Sequence, residues 1–137
     1  MYRAFYELER MPFANTADPA FFFRTAEHEE ALAALLYGVT QRRGVVLVSG
    51  PAGTGKTLLG RLLAEQLRGQ AAVALLLHAP ESGQELLASL CREFQVRCRS
   101  SQPTGELVER LRLFLLDQYL EGKVAAAVID EAQNLDE

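Results

Sequence analysis

Residues 50–57 read Gly-Pro-Ala-Gly-Thr-Gly-Lys-Thr and match G-x-x-x-x-G-K-[ST] without departure. The chemistry of such a run is phosphate binding. Glycines at 50, 53 and 55 let the main chain curl until its N–H groups point inward, and the start of a following helix adds partial positive charge at the same place. Gly50, Pro51, Ala52, Gly53, Thr54, Gly55, Lys56, Thr57 and Leu58 are therefore the candidate nucleotide contacts. Lys56 is expected to reach the β- and γ-phosphates, and Thr57 to offer its hydroxyl to Mg²⁺.

A second chemical signal stands 74 positions after Lys56, where the apolar run Val124–Ile129 ends in Asp130-Glu131. Ligands of open parallel sheets bind beyond the carboxyl ends of the strands. Asp130 there can hold Mg²⁺, mostly through water, because Mg²⁺ dehydrates reluctantly. Glu131 is then placed to polarise a water for attack on a γ-phosphate, help that is worth about 10²–10⁴-fold in rate. An acidic strand end alone is as well explained by solvation; behind a complete phosphate loop it becomes half of a hydrolytic site. Glu131 and Lys56 are the candidate catalytic residues, and Thr57 and Asp130 the candidate metal ligands. A water-activating carboxylate also argues against small-molecule kinases. Gln133 and Asn134 can sense the γ-phosphate or cap the next helix, and capping is the preferred expectation.

Both motifs need a scaffold. Val45–Ser49, bounded by Gly44 and Gly50, suits a strand buried on both faces, followed by a helix from about Lys56 to Arg68 that Gly69 terminates. Ala72–His78 predicts a second buried strand and Val124–Ile129 a third. Helices are predicted from Thr25, as N-cap, to about Tyr37 with Gly38 at the exit, through Leu86, Leu87, Leu90, Cys91 and Phe94, and from Glu106 to Leu120 with a weak Glu106–Arg110 pair. Strands alternating with helices imply parallel pairing, an α/β fold. Ahead of this lies an arm, residues 1–24. It carries Tyr2, Phe5, Tyr6, Phe13, Phe21, Phe22 and Phe23, is broken by Pro12 and Pro19, and is expected to pack on the domain surface.

The chain has 137 residues, the size of one domain, and 49% of them are apolar, enough for a core. Its net charge of −4 gives no overall pull toward nucleic acid or anionic lipid. The longest unbroken apolar run, Ala71–Leu77, is far too short for a membrane span, and no secretory leader is visible. Cys91 and Cys98 have no second ligand pair at metal spacing and read as reduced thiols on or beside a helix. His28 and His78 read as structural histidines without visible partners.

The phosphate loop and the Asp-Glu strand together resemble the AAA+ and related P-loop ATPases, whose Walker A and Walker B motifs would be residues 50–57 and 124–131. A narrower resemblance runs over essentially the whole chain. Tyr2, Phe5-Tyr6, Pro12-Phe13, Asp18-Pro19, His28 with Glu30-Ala31-Leu32, Tyr37-Gly38, Arg43-Gly44 and the run 130–135 are similar to the bacterial general secretion pathway protein A, or ExeA-like, family. The resemblance implies a three-layer α/β/α P-loop domain over 25–137. It implies ATP and Mg²⁺ as cofactors, a cytoplasmic ATPase joined in a longer protein to a membrane span, self-association as an AAA+ oligomer, and a membrane partner in type II secretion or pilus assembly. It places the stretch around Leu35–Gly38 near the adenine. Five strands in the order 5-1-4-3-2 are implied. Three of them are found in this sequence, so the chain is expected to be an incomplete domain that hydrolyses ATP weakly by itself. The fourth strand would lie between the first and third, which would then stand about 9.5 Å apart or close up and pair. Two other readings share the motifs: a DNA-associated ATPase of superfamily 1 helicase or transposition-target type, and a nucleotide switch without hydrolysis. The absence of a Thr-rich strand-contact motif after His78-Ala79-Pro80 counts against a helicase, and Glu131 against a switch.

Overall fold

Thr25 starts the scaffold. In a computed structural model, which describes residues 2–9 and 22–135, its side chain accepts from the His28 N–H while its own N–H donates to the His28 ring. This reciprocal cap, with histidine in the slot that glutamate or glutamine more often fills, begins helix α2 (Ala26–Thr40) after the short helix α1 (Tyr2–Phe5). Glu27 and Glu29 in the first turn suit the positive end of α2. Helix α3 (Lys56–Gln66) follows the glycine-rich loop, and strand β1 (Ala71–Leu76) follows a turn through Gly69 at φ +80°. Helices α4 (Gly83–Glu93) and α5 (Thr104–Leu120) come next. Strand β2 (Val124–Ile129) is entered through Gly122 at φ +74°, and a single 3₁₀ turn spans Ala132–Asn134.

β1 and β2 pair in parallel, with Ala71 opposite Val124 and Leu76 opposite Ile129, and the Asp130 N–H extends the ladder to the Leu76 carbonyl at 2.8 Å. Parallel strands this far apart in sequence need a crossover, which α4 and α5 supply. Ala71, Val73 and Val128 pack against Leu32 of α2 and Leu59, Leu62, Leu63 and Leu67 on and just after α3. Ala74 and Leu76, buried and alternate along the pleat, face the other way, where α4 lies on β1. Cys91, Leu107 and Leu111 form a second buried cluster between α4 and α5. The result is the expected α/β architecture, with helices on both faces of a parallel sheet.

The sheet has two strands and not three. The run 45–49 is not part of it: Val45 and Leu47 are 92% and 82% exposed, Val48 is half-buried, and Val46 lies against Gly38. The physical reason is pairing. In the strand order implied by the resemblance, the neighbours of this run are the fourth and fifth strands, not β2. Among the described residues it therefore has no ladder partner, and of the two geometries anticipated it adopts the one without direct pairing to the acidic strand. Gly38 is not the exit of α2; the helix continues through it to Thr40, and its missing side chain admits Val46. The expected Glu106–Arg110 pair is also absent, because Arg110 donates to the Arg97 carbonyl at 2.8 Å and Glu106 accepts from Gln102 at 2.9 Å. Of the arm, residues 10–21 lie outside the described residues. Phe22 packs on the α2–α3 core, while Phe5, Tyr6 and Phe23 are exposed. No helix among the described residues is long and apolar enough to cross a membrane.

Candidate functional site

Two glycines make the loop possible. Gly53 and Gly55 have φ of +80° and +85°, left-handed values that cost an L-residue roughly 1–2 kcal/mol. Gly55 is the N-cap of α3, so the chain turns directly from the loop into the helix, and Leu59 donates the first helical hydrogen bond back to the Gly55 carbonyl at 2.9 Å. Thr54 pins the loop from within: its hydroxyl donates to the Pro51 carbonyl at 2.9 Å. Lys56 folds over the same turn, its ammonium donating to the Gly50 and Pro51 carbonyls at 2.9 and 2.8 Å.

α3 then brings the loop onto the sheet. A Cβ at Gly60 would stand 3.2 Å from Val128 Cγ1, a tight contact that the glycine avoids where the helix crosses β2. One turn earlier on the same face is Thr57. Its hydroxyl donates to the Asp130 carboxylate in a short hydrogen bond, joining loop and strand tip across 73 residues. Both side chains are half-buried. The hydrogen bond brings the loop and the acidic strand end together in space.

Beyond Asp130 the chain reverses abruptly. Glu131 has φ +53° and ψ +34°, left-handed for a residue with a full side chain, and its N–H donates to Asp130 Oδ1 at 3.0 Å. Its carboxylate is exposed and accepts from the Gln133 side-chain amide at 2.5 Å. Gln133 and Asn134 were expected to cap a following helix. Instead both lie inside the 3₁₀ turn, which has no side-chain cap, and Gln133 holds Glu131.

His28 was expected to lack partners, yet it has several. Its Nδ1 lies 3.3 Å from the Thr25 N and 3.0 Å from the Thr25 hydroxyl, its Nε2 lies 2.8 Å from the Thr54 carbonyl, and Phe22 packs edge-on against the ring at 4.8 Å. The missed signal was the three-residue spacing from Thr25, which puts His28 in the reciprocal slot of a capping box. His78 is exposed.

One hydroxyl and one carboxylate, both hard oxygen donors, suit Mg²⁺, which keeps several waters and takes few protein ligands. No group of three or more His, Cys, Asp and Glu side chains gathers among the described residues, so a caged metal site does not compete for this role there.

A family model described as an AAA domain matches residues 39–137. Among curated proteins the chain is similar to General secretion pathway protein A of Aeromonas hydrophila, 36% identical over 135 residues, 98% of this chain and 25% of the relative. The chain thus spans about a quarter of the length of that relative. No solved structure matches it.

Proposed function

Because this chain belongs to the AAA domain family, matched over residues 39–137, we propose that it binds ATP at residues 50–58 and contributes Asp130 and Glu131 to its hydrolysis. The observation that supports this reading most is the Thr57–Asp130 hydrogen bond, because it joins the two parts of a nucleotide site that are remote in sequence.

In this reading the loop amides and the N-terminus of α3 hold the phosphate oxygens. Lys56 exchanges one of its two carbonyl partners for a phosphate oxygen, so its charge is already beside the cup and little side-chain entropy is lost on binding. Thr57 and Asp130 would hold a magnesium ion, which would offset charge on the β- and γ-phosphates. Glu131 orients and deprotonates the attacking water. Its carboxylate is exposed, and Gln133 restrains it. The likeness to General secretion pathway protein A supports a role in secretion, in which a membrane partner is proposed, and the AAA domain match supports self-association.

Isothermal titration of the native chain with MgATP, together with a phosphate-release assay, tests the reading. Saturable binding that Lys56→Ala weakens at least tenfold is expected. Equal binding by native and variant chains would remove the loop from the role.

A further inference from the structure

We propose that His28 is a positioning residue for the phosphate loop: its Nε2–H holds the Thr54 carbonyl and thereby turns the Gly55 amide toward the nucleotide phosphates. The proposal deepens the nucleotide-binding reading above and rests on it.

The hydrogen bonds fix the tautomer. A backbone N–H can only donate, so the Thr25 N–H requires a lone pair on His28 Nδ1. In the neutral ring the proton is then on Nε2, where it is donated to the Thr54 carbonyl at 2.8 Å. A trans peptide directs its C=O and its N–H to opposite sides. Capturing the Thr54 carbonyl on the α2 side therefore points the Gly55 N–H away from α2. The loop is packed here as well as bonded: a Cβ at Gly55 would meet His28 Nε2 at 3.3 Å and Phe22 at 3.5 Å. One imidazole thus ties the cap of α2 to the peptide that leads into Gly55, 26 residues further on. Pre-orienting that amide removes part of the ordering cost of phosphate binding.

Two substitutions separate this role from mere support of the helix cap. His28→Asn keeps an acceptor near the Nδ1 position but cannot reach Thr54. His28→Gln carries an amide donor to about the Nε2 position. Each variant of the full chain is compared with the native chain by MgATP titration, by thermal unfolding, and by hydrogen exchange over residues 53–57 without nucleotide. His28→Asn is expected to unfold near the native temperature, to exchange faster in the loop, and to bind MgATP about fivefold more weakly, the effect of one lost hydrogen bond. His28→Gln is expected to recover native exchange and affinity to within about twofold. Native affinity and exchange in His28→Asn would overturn the proposal, as would equal losses in both variants. If the native chain itself fails to bind MgATP, the nucleotide reading and this proposal fall together; if it binds and only the Asn–Gln contrast is missing, this proposal alone fails.

Discussion

The Thr57 hydroxyl donates to the Asp130 carboxylate, so the first turn of α3 and the tip of β2 meet through two oxygen-bearing side chains. One turn further along α3, Gly60 lies close to Val128 of the same strand, where a Cβ would stand 3.2 Å from Val128 Cγ1. A hydroxyl and a carboxylate are both hard oxygen donors, the kind of ligand that Mg²⁺ prefers.

Replacing Asp130 by Asn keeps an acceptor for Thr57 and removes the charge. Folding stability is expected to change by less than about 1 kcal/mol, in line with a retained hydrogen bond. The magnesium-dependent part of ATP affinity should disappear, while affinity in EDTA stays native. Titrations with and without Mg²⁺ measure the difference, and an undiminished magnesium effect would take Asp130 out of the metal site.

Glu131 combines a catalytic assignment with backbone strain. Glu131→Gln is expected to bind MgATP as the native protein does and to lower turnover by about 10²–10⁴-fold. Glu131→Gly is expected to lose turnover to the same extent yet to gain about 0.5–1 kcal/mol in urea unfolding, because glycine adopts φ +53° without strain. Loss of both activity and stability in the glycine variant would contradict the strain argument.

Gly38 and Val46 are coupled. A Cβ at Gly38 would stand 2.3 Å from Val46 Cγ2, although alanine is otherwise the better helix residue by about 1 kcal/mol. Gly38→Ala is therefore expected to destabilise the native chain by about 1–2 kcal/mol and to stabilise a Val46→Ala chain. A double-mutant cycle in urea reads the change of sign. Equal effects in both backgrounds would mean that the 45–49 segment does not pack on α2.

Cys91 is fully buried, and burial, with a hydrogen bond to Cys98, pushes its thiol up to about 11 from an ordinary 9.0. The folded state then retains the proton that the unfolded chain gives up. Stability is intact below pH 9 and is lost as pH rises from 9 toward 11. Unfolding midpoints across that range should fall in the native chain and fall less in Cys91→Ala. At pH 8, a thiol reagent should modify the half-buried Cys98 first and Cys91 only on unfolding. Simultaneous labelling would show that the cluster between α4 and α5 opens readily.

Local elements were the most legible part of the sequence. The loop motif, the acidic pair, the Thr25 cap and the strand at 124–129 depend on local spacing, and each has a local physical cause that tertiary contacts did not override. The strand at 45–49 was misjudged because apolar β-branched residues record a preference for pairing without recording whether a partner exists. Gln133 was misjudged because its side chain was read against the helix that follows and not against Glu131 beside it.

Sequence by itself determined the glycine positions that let the loop curl, the order of the helices and of the two strands that pair, and hence parallel pairing. These follow from steric limits on φ and from hydrophobic periodicity, which act over a few residues. Tertiary structure alone decided that Thr57 reaches Asp130, that His28 holds Thr54, and that the 45–49 run stays out of the sheet. Each of these outcomes depends on how closely two remote backbones approach. That distance is set by side chains elsewhere, such as the missing one at Gly60, and no local pattern encodes it.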